Sequence, residues 1–161
     1  MAYAVRRFRD DDAESLAELC LAAIDQIGSH GYSNKQLNAW AARHPGAQLY
    51  RDRVAAGAVI FVAAAENDTP VAYALIEPDG HLDRLYNHPE HSRQGLAGKL
   101  LERAEAHAVS HKISRLYTEA SILARAAFER AGYTVTQRRD FEIDHDGIAV
   151  PIHNYAMEKQ L

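Results

Sequence analysis

Cysteine is nearly absent: Cys20 is the only one in 161 residues, so no disulfide can close within the chain and no oxidising compartment is implied. On helical spacing Cys20 shares a face with Leu16, Leu19, Ala23 and Ile27, which makes it a core residue and argues against a cysteine relay in group transfer. Surplus positive charge is also missing. Lys and Arg number 18 against 22 Asp and Glu, a formal net charge of -4. That excludes a general attraction to nucleic acid or to an anionic membrane and leaves room only for a local basic pocket. No stretch approaches the ~18 apolar residues of a membrane span, and the opening MAYAVRRFRDDD lacks the apolar run of a signal peptide. Repeats, low-complexity tracts and interdomain linkers are lacking too. What is present, 47% hydrophobic and 25% charged residues, is an ordinary globular mixture. The expectation is a soluble cytoplasmic protein folded as one domain over residues 1–161.

The periodicity alternates between strand and helix. AVRRF reads as a short first strand, and Asp10, Asp11 and Asp12 supply the cap and first-turn carboxylates of a helix reaching about Ile27. After a break at GSHGYS, NKQLNAWAAR has helical spacing with Leu37 and Trp40 as anchors, and LYRDRVA follows as a short helix beyond Pro45-Gly46. AVIFVAAAE and PVAYALIE form a hairpin turned at Asn67-Asp68, and HLDRLYN is the next strand. A helix is predicted over 94–108, then a strand in SRLYTEA, a helix in ILARAAFERAG closed by Gly132, and two final strands joined at 144–147. The fold class is mixed α/β.

The segment 82–108 carries the chemistry. Gly95, Ala97 and Gly98 remove side chains where a loop enters a helix, so backbone N–H groups can face an anion with the helix dipole behind them. Arg93 and Lys99 add positive charge on either side, which suits a diphosphate. Close packing of helix on strand is the other reading of such small residues. A nucleotide P-loop is excluded, because Arg93 stands at its first Gly and Leu100 at its final hydroxyl. The dinucleotide fingerprint fails on glycine spacing.

The run NHPEHSRQGLAGKLL resembles the acetyl-CoA signature of the GNAT N-acetyltransferases, Arg/Gln-x-x-Gly-x-Gly/Ala, at Ser92-Arg93-Gln94-Gly95-Leu96-Ala97. EASILARAAFERAGY resembles the later Asn-x-x-Ala-x-x-x-Tyr-Glu-Lys-x-Gly-Phe segment of the same family, and YSNKQLNAW resembles the lid region of a bacterial subgroup. The resemblance covers nearly the whole chain. It implies a mostly antiparallel central sheet flanked by helices and split around an acetyl-CoA cleft. Three positions depart from the pattern: Ser92 replaces Arg or Gln, Ser121 replaces Asn, and Phe128 replaces the tyrosine that protonates the departing thiolate, so another acid or water must do that work.

The resemblance implies that pantetheine runs along the fourth strand at Leu85, Tyr86 and Asn87. The diphosphate then sits on Arg93, Gln94, Gly95, Leu96, Ala97, Gly98 and Lys99, with Ser121 and Phe128 beside the cofactor. An acetyl group then passes directly to an amine, which must first lose a proton to a carboxylate. Asp83 is the first candidate base and Glu119 the second; their other readings are a salt bridge with Arg84 and stabilisation of a helix start. Tyr117 is the candidate acid. Tyr32 and Trp40 fall in the acceptor-contacting lid region, although Trp40 reads more readily as core, and Tyr133 reads as packing. The pairs His88/His91 and His107/His111 have metal-like spacing but no evident third ligand, so no metal is expected. A non-catalytic acyl-CoA sensor is the alternative function, and a homodimer through the final strands is an arrangement found in similar proteins.

Overall fold

The computed structural model describes residues 2–27, 30–44 and 46–161; the breaks expected at Gly28-Ser29 and Pro45, and the side chain of Ile27, lie outside them. Strand β1 (Ala4–Arg7) leads through a one-turn 3-10 helix (Asp10–Asp12) into α1 (Ala13–Ile27). The three aspartates do more than cap. Asp12 turns inward, where its carboxylate accepts from the Arg6 guanidinium at 2.8 and 2.9 Å and from the Arg9 N–H at 2.7 Å. That buried carboxylate stays compatible with the core because every strong donor around it is satisfied.

Helix α2 (Asn34–Ala41) opens with a reciprocal capping box: Gln36 N donates to Ser33 Oγ and Ser33 N donates to Gln36 Oε1. Helix α3 (Gln48–Ala55) then leads to β2 (Val59–Ala64), β3 (Pro70–Ile76) and β4 (Leu82–Asn87). Helix α4 (Leu96–Ser110), β5 (Arg115–Ala120), α5 (Ile122–Arg130), β6 (Thr134–His145) and β7 (Ile148–Gln160) complete the order. Helix α4 starts two residues later than its periodicity predicts, because Gly95 takes a left-handed φ of 73° and breaks the turn there.

Strands β1-β2-β3-β4 form one antiparallel sheet and β5-β7-β6 a second. Alternation along β2 and β3 sends Ile60, Val62, Tyr73 and Leu75 towards α1, and Phe61, Ala63, Ala72 and Ala74 towards α4. Cys20 lies fully buried in the first of these cores. The sheets meet at one point. Tyr117 N donates to Gly80 O at 3.2 Å, and Thr118 Oγ1 donates to Leu82 O at 2.7 Å. A Cβ on Gly80 would lie 2.3 Å from Arg115 O, so only glycine permits this approach. Beyond it no backbone bond joins β4 to β5 among the described residues, and the parallel pair separates. Among these residues no helix is long and apolar enough to cross a membrane.

Candidate active site

Two clefts open where β4 and β5 part. The smaller, about 340 Å³, lies between β4, the start of α4 and α5; the larger, about 550 Å³, lies between β4, the end of α2 and the β6–β7 hairpin. Tyr86 and Ser121 line both.

Backbone dominates the smaller cleft. His88 N bonds Val71 O on β3, so strand alternation turns the N–H and C=O groups of Leu85 and Asn87 away from β3, towards the cleft. The Asn87 Oδ1 atom is buried there without a hydrogen-bond partner. At the loop, Arg93 adopts a φ of 60° and Gly95 one of 73°. The successive backbone N–H groups from Arg93 to Gly98 find no acceptor among the described residues. A Cβ on Gly95 or Gly98 would meet nothing within 4 Å. Arg93 and Ala97 line the cleft, whereas Gln94, Gly98 and Lys99 are exposed on the loop and first turn. Leu96 instead enters the core, and Phe128, packed on Tyr133 with ring centroids 5.0 Å apart, lines neither cleft. Ser121 caps α5 by accepting from Ala124 N at 3.2 Å, which fulfils the helix-start role that its position demands. An orphaned acceptor, outward-facing strand amides and a run of unbonded N–H groups fit a pantetheine diphosphate.

Side chains dominate the larger cleft. Tyr32, Trp40 and Tyr86 form an aromatic wall: the Tyr32 and Trp40 rings meet edge-on at 5.6 Å, and Trp40 lies 6.5 Å from Tyr86. Trp40 thus lines the cleft and packs on the core at once. The Tyr32 hydroxyl donates to His153 O and accepts from Ile122 N, tying the approach to α2 onto α5. His44 is held neutral: burial, helped by nearby Arg84, lowers its pKa to about 4. Its Nδ1–H faces Trp40 O at 3.1 Å, so Nε2 accepts the Tyr86 hydroxyl at 3.2 Å.

The two candidate bases differ. Glu119 Oε1 accepts from His81 Nε2 at 2.8 Å, and His81 Nδ1 donates to Glu77 Oε1 at 2.7 Å. Burial opposes charge on His81, but these carboxylates outweigh it and hold its pKa up to about 9. Asp83 Oδ2 is engaged by Arg53 at 3.0 Å and lies 3.6 Å from Arg84. Tyr117 lines neither cleft. Its ring stacks on His81 at 4.7 Å, and its hydroxyl donates to Asp79, whose carboxylate pushes the phenol up to about 12. It lies two residues short of Glu119, on the junction side of the parting strands.

Sequence reasoning missed His81, Glu77 and Arg53, since their association joins three distant segments and has no local spacing. Glu77, His81 and Asp83 bring three ligand-type atoms within 4.8 Å, but Arg53 already bridges the two carboxylates at 3.3 and 3.0 Å. The paired histidines are elsewhere engaged. His91 bonds the Tyr3 hydroxyl, His88 accepts from Glu90 N, and His107 and His111 pack together 4.1 Å apart.

The acetyltransferase (GNAT) domain family model matches residues 29–158. An uncharacterised N-acetyltransferase of Escherichia coli, YafP, is 29% identical over 136 residues, covering 84% of either chain. A GCN5-related N-acetyltransferase from Rhodopseudomonas palustris superposes with a TM-score of 0.86 at 27% identity, over 100% of this chain and 97% of that one. The PaiA N-acetyltransferase of Thermoplasma acidophilum, solved with coenzyme A, shares the fold at a TM-score of 0.78 and 19% identity, with 100% coverage of both chains. With the family model spanning the lid, the parted strands and the loop–helix junction together, this chain belongs to the GNAT acetyltransferase family and is an N-acetyltransferase.

Proposed function

We propose that the chain, acting as one domain over residues 1–161, transfers acetyl from acetyl-CoA directly to the amine of an acceptor held in the larger cleft. The observation that carries this reading is that the two clefts share Tyr86 and Ser121, so a thioester in one can meet a nucleophile in the other. Acetyl-CoA supplies the activated acetyl group. The amides of Leu85 and Asn87, with Asn87 Oδ1, align its pantetheine. The N–H groups of Arg93 to Gly98, assisted by the Arg93 and Lys99 side chains, hold its diphosphate.

Glu119 is the base. An ammonium has no lone pair, so Glu119 takes its proton; the amine nitrogen then bonds the acetyl carbon as the carbon–sulfur bond breaks, and the second proton that the nitrogen sheds passes through water to the departing thiolate. His81, charged at neutral pH and fixed by Glu77 and the stacked Tyr117, is a positioning residue that holds Glu119 aimed. Asp83, which two arginines approach, Arg53 at 3.0 Å and Arg84 at 3.6 Å, is the lesser base candidate. Proximity in the joined clefts supplies the remaining advantage.

Calorimetry with acetyl-CoA on the wild type and on Gly95→Glu tests the cofactor site. A carboxylate at Gly95 meets the diphosphate in both space and charge, and an affinity loss of at least ~100-fold is expected. Gly95→Ala, which adds left-handed strain of about 1–2 kcal/mol without charge, separates strain from repulsion. Wild-type binding that survives Gly95→Glu would remove the loop from the cofactor site.

A further inference from the structure

The larger cleft has a charge arrangement that selects among amines. Three arginines line it, Arg43, Arg84 and Arg139. Its carboxylates are differently placed: Asp83 is held by Arg53, Glu119 by His81, and Glu142 is exposed. Arg84 is the informative one. Its side chain is only 9% exposed, yet its five N–H donors make one hydrogen bond among the described residues, from Nη1 to Tyr50 Oη at 3.3 Å. The Tyr50 ring lies beneath it at 5.5 Å and Asp83 stands 3.6 Å from Nε. Tyr50 itself is committed to Tyr73, with a hydroxyl separation of 2.6 Å. With one hydrogen bond at 3.3 Å and one carboxylate at 3.6 Å, this shielded guanidinium on the cleft wall keeps N–H donors available to an incoming oxyanion.

Arg139 faces the same cleft from β6, on the other sheet. Asn154 Oδ1 accepts from its Nη1 at 3.1 Å, the Phe141 ring lies 5.4 Å from it, and no carboxylate is within 4.0 Å among the described residues. Both guanidiniums are thus fixed in place by aromatic rings and single hydrogen bonds before anything binds, which favours a planar oxyanion. Arg43, exposed and without a carboxylate partner among the described residues, adds to the same positive field.

Resting on the reading of this cleft as the acceptor site, we infer that the acceptor is an amine that also carries a carboxylate. Arg84 and Arg139 receive the carboxylate, Trp40, Tyr86 and Phe141 cover the apolar body, and the amino group is left facing Glu119. A polycationic amine would meet three arginines and is the disfavoured class.

Matched pairs differing by one carboxylate test this: phenylalanine with 2-phenylethylamine, lysine with cadaverine, and 4-aminobutyrate with butylamine. Each compound is titrated calorimetrically into the cofactor-free protein, then assayed for acetylation with acetyl-CoA by mass spectrometry. In at least one pair the acid is expected to bind, or to show kcat/KM, more than about tenfold better than its partner. Arg84→Gln should shrink that preference to within about threefold. Arg139→Gln, at a less buried position, should shrink it too and covers the case in which Arg84→Gln fails to fold. Decarboxylated partners that match or exceed their acids in every pair overturn the inference, as does a panel in which no acid binds. Preferential binding of an acid without acetyl transfer would uphold the inference and instead sink the transfer reading.

Discussion

The smaller cleft is lined by backbone and the larger by side chains, and they differ in how far apart their parts lie along the chain. The smaller draws its amides and N–H groups chiefly from β4 and the loop into α4, a continuous stretch closing near Gly98. The larger gathers Tyr32, His44, Arg84, Glu119 and Arg139 from the lid region and both sheets. A backbone site tolerates sequence change wherever φ and ψ survive, so Ser92 can replace a family Arg or Gln there. A side-chain site is rewritten by single substitutions, which is why acceptor choice varies on a shared scaffold.

Substitutions on either side can break this contrast. The largest expected effect is on chemistry: Glu119→Gln should lower kcat by about 10²–10⁴-fold while acetyl-CoA affinity stays within about threefold of wild type. Asp83→Asn should cost less than about tenfold under the same assay. A reversal of that order, read by coenzyme A release, would transfer the base role to Asp83.

A smaller effect separates positioning from transfer. The folded pKa of His81 is raised to about 9, above its unfolded value of about 6.5. Its contribution to stability is therefore complete below about pH 6.5 and is lost as pH rises through about 9. Thermal melts of wild type and His81→Gln should differ by several degrees near neutrality and converge by about pH 10. Rates of the variant should lose the corresponding alkaline limb; parallel wild-type and variant pH–rate profiles would leave His81 structural only.

The smallest effect lies in the backbone-lined cleft. Asn87→Leu removes a buried unpaired acceptor, so stability should hold or rise slightly, while acetyl-CoA affinity falls by about 3–10-fold for one lost hydrogen bond. Unchanged affinity in calorimetry would place the pantetheine away from Asn87.

Most of the elements were legible because their signals are local. The capping box at Ser33, the apolar face of α4 and the Asp146-Gly147 turn, with φ of 51° and 75°, are each written within a few residues. Two expectations shifted for local reasons that periodicity does not see: the left-handed Gly95 delays α4, and Asp12 turns inward to meet Arg6. Within the site, the loop from Arg93 to Gly98 was legible as a side-chain-poor entry into a helix, and its N–H groups are unbonded among the described residues. Tyr117 was harder, since its reach depends on how far past Gly80 the strands have parted; at its position they are still joined. Trp40, which the sequence favours as core, packs on the core and lines the larger cleft.

By itself the sequence determined the strand and helix order, the glycine-relieved loop, the buried Cys20 and the absence of a long apolar span, because each is set by residues within one or two turns of one another. Only the tertiary structure decided which side chains hold each cleft carboxylate and which arginines line the larger cleft. Glu77, His81 and Glu119, like Tyr50 and Arg84, are joined by sheet register and by the short junction at Gly80 and Leu82, and such pairing is fixed by packing the whole chain, not by neighbouring residues.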